Sequence, residues 1–84
     1  MDENDALLAL NQHLKQKFQA TSSTVWFCNC DNAPLYTIRL PRLRGLIVFE
    51  VDEIQEIFID GGYTQMCYYV DDSIKRILDD LGYN

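Results

Sequence analysis

Three cysteines and a single histidine are the side chains of this chain best suited to metal or nucleophilic chemistry. Cys28 and Cys30 are one residue apart, so on a strand both thiols point to the same face. Cys67 and His13 would complete a tetrahedral zinc set. The spacing speaks against it, because zinc motifs leave about two to four residues between paired cysteines. Three small apolar residues of a sheet or core are the simpler reading. An odd cysteine count makes no disulfide framework, and free thiols suit a reducing compartment. His13 as general base to a cysteine thiolate would need a motif that the chain lacks. It flanks the apolar stripe of the first helical segment, a boundary position. The expectation is therefore no metal, no cofactor and no catalysis.

Carboxylates are the second candidate. The chain carries a net charge of −6, unevenly spread. Residues 1–44 hold five bases and four acids, whereas residues 45–84 hold two bases and nine acids. Glu50, Asp52, Glu53, Glu56, Asp60, Asp71 and Asp72 follow one another with no base between them. They match no calcium loop, since Asp-x-Asp-x-Asp-Gly is absent. A charge run is most simply a solvated face. Yet like charges without a counter-ion repel one another and oppose compaction. Asp79 and Asp80 add to this at the negative end of the last helix. A basic partner would be steered to such a field and would relieve it on binding.

Arg39, Arg42 and Arg44 form the basic counterpart around Pro41. They suit an acidic partner, a phosphate or the acidic half of a second copy of the chain, or else an internal salt bridge to Glu50 or Asp52 across neighbouring strands. The aromatics Trp26, Phe27, Tyr63, Tyr68 and Tyr69 supply anchors. Adjacent strand residues face opposite sides of a sheet. One member each of Trp26–Phe27 and Tyr68–Tyr69 would then lie on the open face. Exposed aromatics rimmed by charge are the usual make-up of an interface centre.

The elements that must position these groups follow from periodicity. Leu7, Leu10, Leu14 and Phe18 make one stripe of a helix over Asn4–Ala20. Acids at its start and lysines at its end suit the dipole, and Thr21-Ser22-Ser23 reads as a polar stop. Thr24–Cys30 and Leu35–Leu40 read as a hairpin across Asp31-Asn32-Ala33-Pro34. Leu46–Val51 reads as a central strand. Asp52–Ile59 is ambiguous: Ile47, Val51, Ile54 and Phe58 also align on a helix, but six β-branched residues between Ile47 and Ile59 favour a strand. Asp60-Gly61-Gly62 is a hairpin signal, with Tyr63–Val70 as the next strand. Ile74, Ile77, Leu78 and Leu81 define a short C-terminal helix, capped by Asp71, Asp72 or Ser73 and ended by Gly82.

The expected architecture is α+β over a single domain, residues 1–84. It has an N-terminal helix, an antiparallel sheet of about five strands and a short C-terminal helix, with both helices on one face. No apolar run approaches the roughly 20 residues of a membrane helix. The acidic start lacks the basic flank of a signal peptide, which points to the cytoplasm. The acidic balance disfavours direct nucleic-acid binding, and the basic-aromatic signature of RNA-binding sheets is missing.

The expected function is a non-catalytic protein-interaction module, an inhibitor or adaptor docking on a basic protein surface. Trp26, Tyr63, Tyr68 and Tyr69 would anchor it, and Glu53, Glu56, Asp60 and Asp72 would steer. One form of this is a nucleic-acid mimic whose carboxylates stand in for phosphates. In size and charge the chain is like small acidic inhibitors, immunity proteins and phage-encoded antagonists, a likeness resting on no motif. The alternatives are a homodimer or larger homo-oligomer built through the open sheet face or an edge strand, and a Cys/His metal protein.

Overall fold

The structure is a computed structural model and describes residues 1–25 and 33–82. The elements run α1 (Glu3–Phe18), β1 (Thr21–Val25), β2 (Leu35–Arg39), β3 (Ile47–Glu50) and α2 (Val51–Asp80).

Helix α1 begins where Asp2 turns its carboxylate onto the Asp5 N–H at 2.8 Å, a side-chain N-cap. It ends at Gln19, which takes a left-handed conformation (φ 57) and returns its N–H to Lys15. That turn reverses the chain at once, so β1 starts at Thr21, inside the stretch read as a polar stop. The Thr24–Cys30 strand lies only partly within the described residues. Its partner is found as β2, antiparallel, with Thr24 opposite Tyr36. β3 then pairs with β2, Tyr36 opposite Phe49. Among the described residues the sheet has three strands in the order β1-β2-β3.

The expected five strands and short C-terminal helix are not formed. Asp52–Ile59 and Tyr63–Val70 both belong to α2, and Asp60-Gly61-Gly62 makes no hairpin. The physical reason is burial. Val51 and Ile54 lie on one face of the first arm, and Met66, Cys67, Val70 and Ile74 continue that role in the second. These positions recur every three to four residues, so only a helix can bury them together. That packing outweighs the modest strand preference of β-branched and aromatic side chains. The glycines do mark a break: Gly62 (φ 83, ψ −179) is non-helical and kinks α2 into two arms. This region of backbone space is open essentially to glycine alone. At the far end Gly82 is left-handed (φ 82), as its place after the last turn requires.

Both helices pack on one sheet face. Asn11 of α1 reaches Ser22 and Tyr36, while Tyr69 of α2 meets Phe49 edge-on at 6.0 Å. Between the layers lie Leu10 and Leu14 of α1, Tyr36 and Ile38 of β2, and Ile54, Met66, Val70 and Ile74 of α2, all fully buried. The opposite face presents Ser23, Val25, Leu35, Thr37 and Val48, none of them aromatic. One of Tyr68 and Tyr69 is expected there, but both ride on α2. Trp26 and Phe27 lie outside the described residues. Among the described residues no helix is long and apolar enough to cross a membrane.

Candidate functional site

The two helices meet along matched ridges. Ala9, His13 and Lys17 recur every four residues on α1, as do Tyr63, Cys67 and Asp71 on α2. Residues at this spacing share a helix face, so two such rows can meet along their length. The Tyr63 hydroxyl donates to the Ala9 carbonyl at 3.1 Å. His13 Nε2 lies 2.9 and 2.8 Å from the two oxygens of Asp71, and Lys17 Nζ donates to Asp71 Oδ2 at 2.8 Å. A carboxylate can only accept, so His13 carries its proton on Nε2. Asp71 is 7% exposed and is the buried charged residue among those described. Lys17 pairs with this acid and His13 donates to it, which satisfies the rule that buried charge must be paired and hydrogen-bonded.

Cys67 lies on the same ridge and lines a shallow cleft with His13, Tyr63, Thr64, Tyr68 and Asp71. Burial pushes its thiol pKa up, outweighing the opposing influence of Tyr63. A nucleophilic cysteine needs the reverse, a stabilised thiolate. Burial likewise raises Tyr63, to about 12, with the Cys67 thiol adding to it. The geometry makes this cluster a pin between the helices. Of the zinc set considered above, His13 and Cys67 share the cleft, while Cys28 and Cys30 lie outside the described residues. Among the described residues no three potential ligands converge.

A second polar knot holds α1 to the sheet. Ser22 donates to Asn11 Oδ1 at 2.9 Å, and the Tyr36 hydroxyl lies within hydrogen-bonding reach of both. Tyr36 is fully buried, and desolvation pushes its pKa up to about 12.

The carboxylate run divides. Asp71 is consumed in the pin, and Asp72 pairs with Arg76 one turn on at 3.0 Å. Glu50, Asp52, Glu53, Glu56 and Asp60 are exposed and form no ion pair among the described residues. Glu53 accepts the Tyr69 hydroxyl, which raises the Tyr69 pKa, with burial adding to it. Arg39, Arg42 and Arg44 are also exposed, and none reaches Glu50 or Asp52 in a salt bridge.

The residues expected to bind are therefore scattered. Glu53, Glu56 and Asp60 share the first arm of α2, but Tyr63 and Tyr69 spend their hydroxyls inside the fold. Among the described residues of the set, Tyr68, 68% exposed, is the free aromatic. Asp72 sits on the second arm, engaged with Arg76. The arrangement adds something else. The start of α1 lies against the first arm of α2, so that Met1, Asp2, Glu3 and Asn4 line a depression with Phe58 and Ile59. Met1 and Ile59 are largely exposed apolar groups, with Asp2, Glu3 and Asp60 beside them. The sequence carried no signal for this meeting beyond two acidic stretches, one at each end of the helix pair.

No protein-family model matches the chain, and comparisons with curated proteins and with solved structures find no significant match.

Proposed function

We propose that this chain is a non-catalytic interaction module that docks on a basic protein surface through the first arm of α2 and the start of α1. The observation supporting this is the apolar pair Met1 and Ile59 set among Asp2, Glu3 and Asp60, with Glu56 on the same arm. An apolar centre with a charged rim is the usual anatomy of a protein interface. Carboxylates without internal counter-ions supply steering to a cationic partner. The raised pKa of the buried Cys67 thiol is consistent with a residue kept for packing. A free thiol also suits a reducing compartment, which supports a cytoplasmic setting.

The test is affinity capture from the native cell, in low and in raised salt, using three forms of the full chain. These are wild type, Glu56→Lys with Asp60→Lys, and Ile59→Ala. The expected result is a basic protein retained by wild type, lost to the charge-reversed form and weakened by Ile59→Ala. A partner retained equally by all three forms and indifferent to salt overturns the proposal, as does the absence of any partner.

A further inference from the structure

We infer that β3 is a self-association edge, and that two copies of this chain pair β3 against β3 in antiparallel fashion about Val48. The inference is independent of the basic partner proposed above.

The backbone comes first. Among the described residues, sheet order leaves β3 with one unpaired side. Val51 N–H bonds to the Pro34 carbonyl, and ladder bonds in an antiparallel pair alternate along the strand. Phe49 and Ile47 therefore face β2 with their N–H and C=O, while Val48 and Glu50 turn theirs outward. Leu46 continues this alternation just before the strand. An edge of this kind is a template for a further strand unless something blunts it. Leu46-Ile47-Val48-Phe49 contains no charge, proline or glycine. The other edge, β1, is built of Thr21, Ser22, Ser23, Thr24 and Val25, four of the five polar.

The side chains come second. Leu46 is 47% and Val48 50% exposed. Beside them an apolar groove of about 620 Å³ runs between β3 and the end of α2, lined by Leu43, Phe49, Ile77 and Leu81 among others. Leu81 is itself exposed.

Charge selects the occupant. The strand is preceded by Arg42 and Arg44 and followed by Glu50, Asp52 and Glu53, all exposed and none ion-paired among the described residues. Basic at one end and acidic at the other, the edge is complementary to itself reversed. A two-fold axis at Val48 sets Val48 opposite Val48 and Leu46 opposite Glu50, and brings Arg44, just before the strand, towards Asp52 in the first turn of α2 of the second copy. Such an isologous interface makes each contact twice, so the approach of Arg44 to Asp52 is repeated across the axis. The net charge of −6 on each copy opposes association at long range, so local register must supply the specificity.

The test is sedimentation of the full chain over a dilution series. Wild type is expected to show a reversible monomer–dimer equilibrium. Val48→Pro removes an outward N–H that β2 does not use, so it should leave the helical circular dichroism unchanged and weaken dimerisation by at least tenfold. Arg44→Glu and Asp52→Arg each act at an exposed position and should each weaken self-association. Mixed in equal amounts, they should form a heterodimer that neither makes alone. A wild type monomeric at every concentration overturns the inference. So does a mixture of the two charge variants that fails to associate, or a folded Val48→Pro chain that dimerises as wild type does.

Discussion

Asp71 on α2 and His13 on α1, 58 positions apart in sequence, meet through both carboxylate oxygens at 2.8 and 2.9 Å. Lys17 completes the grip. The three groups are not equally buried: the side chains of His13 and Lys17 are 29% and 40% exposed, that of Asp71 only 10%. The consequence is an asymmetry. Asp71→Asn strands no buried charge, because His13 and Lys17 can turn to water, and should cost about 1 kcal/mol. His13→Ala with Lys17→Ala strands a buried carboxylate, which costs roughly 3–5 kcal/mol when the pair is fully enclosed. Solvent access at Lys17 lowers that to about 2–3 kcal/mol. Urea unfolding of the two variants checks the order. Equal losses would show that Asp71 is solvated after all.

Tyr36 gives the fold an alkaline limit. Its pKa rises from 10.0 in the unfolded chain to about 12 in the folded one, chiefly through burial. The folded state thus holds the phenolic proton more tightly. Stability from this group is fully present below pH 10 and is lost as pH climbs towards 12, by about 2–3 kcal/mol in all. Tyr63 and Tyr69, also raised, act in the same direction. Tyr36→Phe should cost about 1–2 kcal/mol at neutral pH by removing the hydroxyl from the Asn11–Ser22 knot. In return it should flatten the fall between pH 10 and 12. Denaturation midpoints across that range read the difference. A slope unchanged by the substitution would place the alkaline sensitivity elsewhere.

Gly62 is held in a backbone conformation that L-residues rarely adopt, yet a Cβ there meets nothing within 4 Å. Substitution costs should therefore be pure backbone strain. Gly62→Ala should destabilise by roughly 1–3 kcal/mol. D-alanine at the same position, in a synthetic chain, should be tolerated, because φ 83 with ψ −179 is extended backbone for the mirror-image residue. Gly61 behaves differently: its added Cβ would lie 2.8 Å from the Gln65 side chain, so its penalty is a steric clash rather than backbone strain. Thermal melts of the D- and L-alanine chains separate the two causes.

The fold was readable where one period dominated and misread where two competed. The stripe Leu7, Leu10, Leu14 places α1, and the stripe Ile74, Ile77, Leu78, Leu81 places the end of α2. Carried back through Val70, Met66 and Tyr63, that second stripe marks the whole second arm. The aromatic pair Tyr68–Tyr69 and the Asp-Gly-Gly turn signal drew the assignment to a hairpin instead. Local propensity favoured strand by tenths of a kcal/mol per residue, whereas burying Met66, Val70 and Ile74 is worth about 1.5–3 kcal/mol each. The Asp71 pin was hidden for another reason. Its partners sit on the helix at the other end of the chain, and no local pattern in residues 50–72 sets one carboxylate of the seven apart.

Glu56 tests whether the acidic arm is kept for stability or for binding. It stands four residues after Asp52 and four before Asp60, within the first arm of α2. Like charges at this spacing repel by about 0.2–0.5 kcal/mol per pair. Glu56→Lys converts both repulsions to attractions and should stabilise the fold by about 0.5–1 kcal/mol in low salt. The gain should shrink in 1 M salt, where screening falls to about 3 Å. The same substitution should weaken capture of a basic partner. A residue whose replacement improves the fold while impairing its binding is retained for the binding. If Glu56→Lys instead lowers the unfolding midpoint, the carboxylate is serving the helix, and the acidic face loses its main argument as a docking surface.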